Sequence, residues 1–199
     1  AALRALRRSA FSEALSHCGK GIELLAGLTV SPRTREQELA LRSTMGVALV
    51  PVKGYAAKEV GENAARIEAL CREFGDSPRL VPSLYGLWAY HRLMGHRQPT
   101  LDLADEIGRL AVDGEEHAFI GLAVRGITAY YSGDLLKARD LLEKAIPIYR
   151  LDLHPRLAQT FGEEVGVLPT LYQVWCVWLC GQPDESARRK DESLRLVAA

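Results

Sequence analysis

Apolar side chains recur at three and four spacing through stretches of about 15 to 20 residues, each closed by Gly, Pro or Asp, and that pattern confines the chain to helices packed on helices. Phe11, Ala14, Leu15, Cys18, Ile22 and Leu25 share one helical face. Leu39, Ser43, Gly46, Val47 and Val50 make a second such face, and Ala64, Ile67, Leu70, Cys71 and Phe74 a third. Further helices are expected near 79–94, 99–112, 115–132, 134–149, 167–180 and 184–198, for nine or ten helices and no sheet. Ala and Leu supply 55 of the 199 residues, which suits close helix packing.

The boundaries have local causes. Ser31 before Pro32 predicts a capped start with proline at the first helical position, and Asp76 or Ser77 before Pro78 repeats the device. Asp134 is expected to cap the helix that follows Gly133. Gly54, Gly75, Gly95, Gly114, Gly133 and Gly181 fall where helices should stop, because glycine accepts left-handed backbone at little cost. Pro147 predicts a kink or an early end.

The units are related to one another. Between His117 and Ile148, Leu122 and Gly126 on a first helix lead through Tyr130-Tyr131-Ser132-Gly133-Asp134 to Ala138, Leu142, Ala145 and Ile148 on a second. Small residues at 126, 138 and 145 let two antiparallel helices approach while the larger ones fill the space between them. This unit resembles the tetratricopeptide repeat (TPR), with Arg150 where that family commonly has a closing proline. Weaker copies surround Gly46 with Lys53-Gly54-Tyr55, Trp88 with Met94-Gly95-His96, and Val174 with Cys180-Gly181-Gln182; residues 1–27 read as an incomplete first repeat. The turn glycines Gly54, Gly95, Gly133 and Gly181 lie 41, 38 and 48 residues apart. The family period is about 34, so longer helices or inserted turns are expected. The resemblance implies an all-α, right-handed α-solenoid of four to five antiparallel helix pairs, a single domain over 1–199. Residues 150–166 form an irregular connection in it, either functional or an extra turn packed on the array.

The order of features is also similar to the helical region behind the ATPase module of large bacterial signalling proteins, namely nucleotide cyclases and LuxR-class transcription activators. The stretches that carry this are Phe11-Ser12-Glu13-Ala14-Leu15 with Gly21-Ile22-Glu23-Leu24-Leu25, Lys53-Gly54-Tyr55-Ala56-Ala57-Lys58-Glu59-Val60, and Leu84-Tyr85-Gly86-Leu87-Trp88. That resemblance implies a regulatory part of an adenylate or guanylate cyclase-like or activator-like protein. A first residue of Ala1 rather than Met fits a piece of a longer chain.

Lys+Arg and Asp+Glu balance at 25 each, so no bulk positive field draws nucleic acid or an anionic membrane. Arginines are 19 of the 25 basic residues but lie scattered, which carries no functional weight at this level. The most apolar stretch, Val174 to Cys180, is far short of the roughly 20 residues a membrane helix needs. Cys18, Cys71, Cys176 and Cys180 do not resemble a secreted disulfide framework, and a reducing cytoplasm is expected.

Candidate chemistry competes with plain structural roles. Gly19-Lys20-Gly21 lacks the spacing of a phosphate-binding loop and sits mid-helix. Cys176 and Cys180 share a helical face, yet no second Cys or His pair follows, so buried thiols are favoured over zinc. Glu115-Glu116 and Asp184-Glu185 fall at helix starts, where the dipole favours them. Arg188-Arg189-Lys190 reads as a solvated face. Glu163-Glu164, near His154, would serve a helical hydrolase if one cleft gathered them, although a solvated loop is preferred. No catalytic residue, metal site or cofactor is assigned.

Recognition then falls to the concave side that the family's first helices line. Carried across by register, the groove positions are Tyr85, Ala89 and Arg92, then Ile127, Tyr130 and Tyr131, then Trp175 and Trp178. Tyr and Trp bury much area at low entropic cost, so they suit a protein, a peptide or a flanking domain. Tyr130, Tyr131 and Arg92 are preferred for contact, whereas Trp175 and Trp178, on so apolar a helix, are expected to pack between repeats ahead of meeting a partner. The function implied is a non-catalytic interaction or regulatory module; the alternative is a small-molecule sensor whose enclosed pocket is roofed by 151–166.

Overall fold

The computed structural model describes residues 1–75, 77–111, 114–153, 157, 160–161 and 165–198. Among them no residue is in a strand. The α-helices are α1 (Ala2–Arg7), α2 (Phe11–Ala26), α3 (Pro32–Lys53), α4 (Lys58–Phe74), α5 (Ser77–Leu93), α6 (Arg97–Leu110), α7 (Glu115–Tyr131), α8 (Leu135–Ala145), α9 (Val167–Leu179) and α10 (Pro183–Ala198). Two compact units are formed, residues 1–97 and 98–199.

In residues 1–97 each helix packs on the next. α3 starts where the sequence says it should. Ser31 Oγ accepts from the Thr34 amide at 3.2 Å, Thr34 Oγ1 accepts from the Ser31 amide at 2.9 Å, and Pro32 fills the first position. Small residues set the spacing. A Cβ on Gly46 of α3 would stand 3.3 Å from Asn63 of α4, and one on Gly61 would stand 2.7 Å from the Tyr90 ring of α5. Leu39, Ile67, Leu70 and Cys71 form the apolar seam between α3 and α4. Gly75 closes α4 in left-handed backbone, φ 64° and ψ 29°, with its amide bonded back to Arg72 and Cys71 carbonyls. Pro51 and Pro82 lie inside α3 and α5, positions at which proline withdraws a backbone donor.

In residues 98–199, α7 and α8 form an antiparallel hairpin. A Cβ at Gly126 would come within 2.8 Å of Leu142 Cγ and 3.3 Å of Leu141 Cβ, while Ala138 and Ala145 are fully buried against α7. Asp134 caps α8 by accepting from the Lys137 amide at 3.2 Å. α8 ends at Ala145, and Pro147 sits in a 3-10 turn over Ile146–Ile148, so the early end materialises. Gly114 differs from its expected role: with φ 88° it opens α7 as the N-cap residue. Asp76, His154, Glu163 and Glu164, named above from the sequence, lie outside the described residues.

Candidate aromatic recognition site

The site is built by α7 and α9, which pack on each other within residues 98–199. α9 buries one stripe, including Tyr172, Gln173, Cys176 and Val177. Its opposite stripe is apolar too. Leu171, Trp175, Trp178 and Leu179 fall at i, i+4, i+7 and i+8, and are 38, 45, 60 and 48% exposed. Four large apolar groups on one solvent-facing stripe exceed the scattered single exposures usual for a protein surface.

Beside this stripe the end of α7 contributes Tyr130 and Tyr131. The Tyr130 ring lies 5.1 Å from Tyr172 and 6.2 Å from Trp175, and Tyr172 meets Trp175 edge-on at 5.1 Å and 86°. Tyr131 stands 5.7 Å from Tyr172, and the two hydroxyl oxygens are 2.8 Å apart. Such tilted and edge-to-face rings favour each other beyond simple area burial. Tyr131 and Trp175 nonetheless keep 54 and 45% of their surface exposed. Burial, then the neighbouring Cys176 thiol and Tyr131, pushes the Tyr130 hydroxyl above the usual tyrosine range, so it stays a neutral donor at physiological pH.

Of the residues singled out in the sequence, Tyr130, Tyr131 and Trp175 thus come together, with Trp178 one turn further along α9. Ile127, 2% exposed, belongs to the core and has almost no surface to offer. Tyr85 and Arg92 make a second group, in residues 1–97. Tyr85 is 4% exposed and lies 5.3 Å from the fully enclosed Trp88, and the Arg92 guanidinium stacks on that indole at 4.9 Å from its centroid. Ala89 is buried. Tyr172 was not singled out: its partners stand some forty positions upstream, and only its place three residues before Trp175 hinted at it.

A charged cluster also escaped sequence reading. Glu38 of α3, its side chain 14% exposed, accepts from Arg42 Nε at 2.8 Å and from Arg66 Nε and Nη2 at 2.8 and 2.7 Å. Arg35 Nη1 completes the ring of donors at 3.3 Å. The Arg66 hydrogen bonds above all, then those of Arg42, hold the Glu38 carboxyl down at about 2. Elsewhere the other candidates take structural parts. Glu115 pairs with Arg150 at 3.0 Å, Arg189 bridges Glu143 and Glu185, and Arg188 pairs with Glu185. Among the described residues no group of three or more His, Cys, Asp or Glu side chains could hold a metal ion, and no helix is long and apolar enough to cross a membrane.

No family model matches the chain, and no curated protein matches it. Among solved structures it is similar to the crystal structure of nearly identical TPR-like repeats from Podosopora anserina, assigned to a kinesin light chain. The TM-score is 0.66 at 15% identity, over 99% of this chain and 92% of that one. At that identity the likeness speaks for the fold: it is an all-α, TPR-like helical repeat of the α-solenoid class.

Proposed function

We propose that the chain is a non-catalytic module that binds a protein or peptide, or a flanking domain of its own chain, through the aromatic surface of α7 and α9. The exposed stripe Leu171, Trp175, Trp178 and Leu179, flanked by Tyr131, carries this reading. Buried aromatic anchors dominate interface energetics, and a partner helix or extended segment laid on the stripe would desolvate two indoles and a phenol together. Extending the proposal to the sequence resemblance, the module is the regulatory part of a cytoplasmic bacterial signalling protein of the cyclase or activator type. Arg92 is proposed as a further contact position in the first unit, with the buried Tyr85 supporting it through Trp88 rather than meeting a partner. The proposal includes one domain over 1–199, with residues 1–27 as its incomplete first repeat.

The test is a peptide-display selection against the 199-residue chain, followed by binding measurements on Tyr131→Ala, Trp175→Ala and Trp178→Ala. Each truncation of an anchor is expected to weaken the selected peptides at least tenfold, about 1.4 kcal/mol, while helical content stays unchanged. Equal binding by all three variants would refute the surface.

A further inference from the structure

A cleft of about 250 Å³ opens in residues 1–97 between the end of α2, the chain leading into α3, the first half of α3 and Arg66 of α4. Its two walls differ in chemistry. Ile22, Leu25, Leu28 and Val30 make one wall apolar, and Leu28 and Val30 remain 56 and 69% exposed. The facing wall carries Arg35, Arg42 and Arg66 around the single carboxylate Glu38.

That ionic wall holds more positive charge than it neutralises. Both Glu38 oxygens are fully engaged, Oε1 by the Nε atoms of Arg42 and Arg66, Oε2 by Arg66 Nη2 and Arg35 Nη1. Three guanidiniums thus share one anion, with Glu73 reaching Arg66 only through longer-range attraction. Arg35 Nε is buried and has no acceptor. A buried donor left without an acceptor is costly, and the Arg35 side chain as a whole, 29% exposed and lining the cleft, keeps surface through which its charge can be met. A cation requires a second carboxylate here, and none lines the cleft.

We infer that the cleft binds a short organic acid, its carboxylate against the Arg35 and Arg42 guanidiniums and its alkyl tail on Ile22, Leu25, Leu28 and Val30. Guanidinium matches carboxylate geometry, and water is displaced from apolar surface in the same event. The volume, just below the roughly 300 Å³ at which drug-sized pockets begin, limits the tail to a few carbons. This site is independent of the aromatic surface and stands whether or not that surface binds a peptide.

The experiment titrates the whole 199-residue chain at low ionic strength with 4-methylpentanoate, with acetate, and with 4-methyl-1-pentanol, followed by calorimetry and backbone amide shifts. The acid is expected to bind saturably and at least tenfold tighter than either partial analogue, with shifts confined to residues 22–42 and the neighbourhood of Arg66. Arg35→Gln should weaken the acid about tenfold. Val30→Asp, at an exposed rim position, should weaken it similarly and serves if the arginine variant folds poorly. An acid no tighter than acetate or the alcohol, shifts scattered over the surface, or full affinity in a folded variant of either kind would overturn the assignment. Tighter binding of a peptide ending in leucine would overturn the free acid as ligand.

Discussion

The hydroxyl oxygens of Tyr131 and Tyr172 stand 2.8 Å apart and tie the last turn of α7 to the core-facing stripe of α9, although one ring is 54% exposed and the other only 6%. Their substitutions should therefore separate stability from recognition. Tyr172→Ala empties a buried ring site and should cost about 3 kcal/mol, read as a lowered melting temperature by circular dichroism. Tyr131→Ala should cost under about 1 kcal/mol while carrying the larger loss of peptide binding.

One substitution should act with opposite sign in two helices. Gly19 of α2 has nothing within 4 Å of a new Cβ, so Gly19→Ala should stabilise by up to about 1 kcal/mol through helix propensity alone. At Gly126 the same methyl would meet Leu142 Cγ at 2.8 Å, and Leu142 is fully buried with nowhere to retreat. Gly126→Ala should destabilise by about 1 to 3 kcal/mol. Urea melts of the two variants check the pair.

Glu38 should shape acid stability. Its carboxyl is depressed from 4.5 to about 2 in the fold. Its contribution is therefore complete above pH 4.5 and fades as pH falls towards 2, because the unfolded chain takes up the proton first. Glu38→Gln should lower stability near neutral pH by about 1 to 3 kcal/mol. It should also flatten the loss of melting temperature between pH 4.5 and 2, which a melting series across that range measures.

Thiol reactivity should follow burial. Cys18, Cys71 and Cys176 are enclosed and Cys180 is partly exposed. Burial, and secondarily the neighbouring Cys180, raises the Cys176 thiol to about 11, leaving little thiolate at pH 8. Iodoacetamide at pH 8 should therefore label Cys180 first and the other three only on unfolding, as peptide mass mapping would show.

The helices were legible in the sequence because their causes are local. The three and four spacing, the Ser31-Pro32 start, the Asp134 cap and the Pro147 stop each act within one or two turns, and close packing at Gly126 followed from the hairpin pattern. The orientation of α9 was not legible, because that helix is apolar on both sides. Nothing in its periodicity tells the buried stripe with Tyr172 and Cys176 from the exposed one with Trp175 and Trp178. Nor could spacing along the chain disclose the guanidinium cluster, since Arg66 meets Glu38 across 28 positions. Arginines dispersed in the sequence converge only once α3 and α4 lie side by side.

The three tryptophans are divided between the two units, Trp88 sealed inside residues 1–97 and Trp175 with Trp178 open to water in residues 98–199. Nature has thereby fitted each half with its own optical gauge. Emission from the dry indole can register melting of one half, while quenching of the wet pair can register a guest settling on the other, with no dye attached.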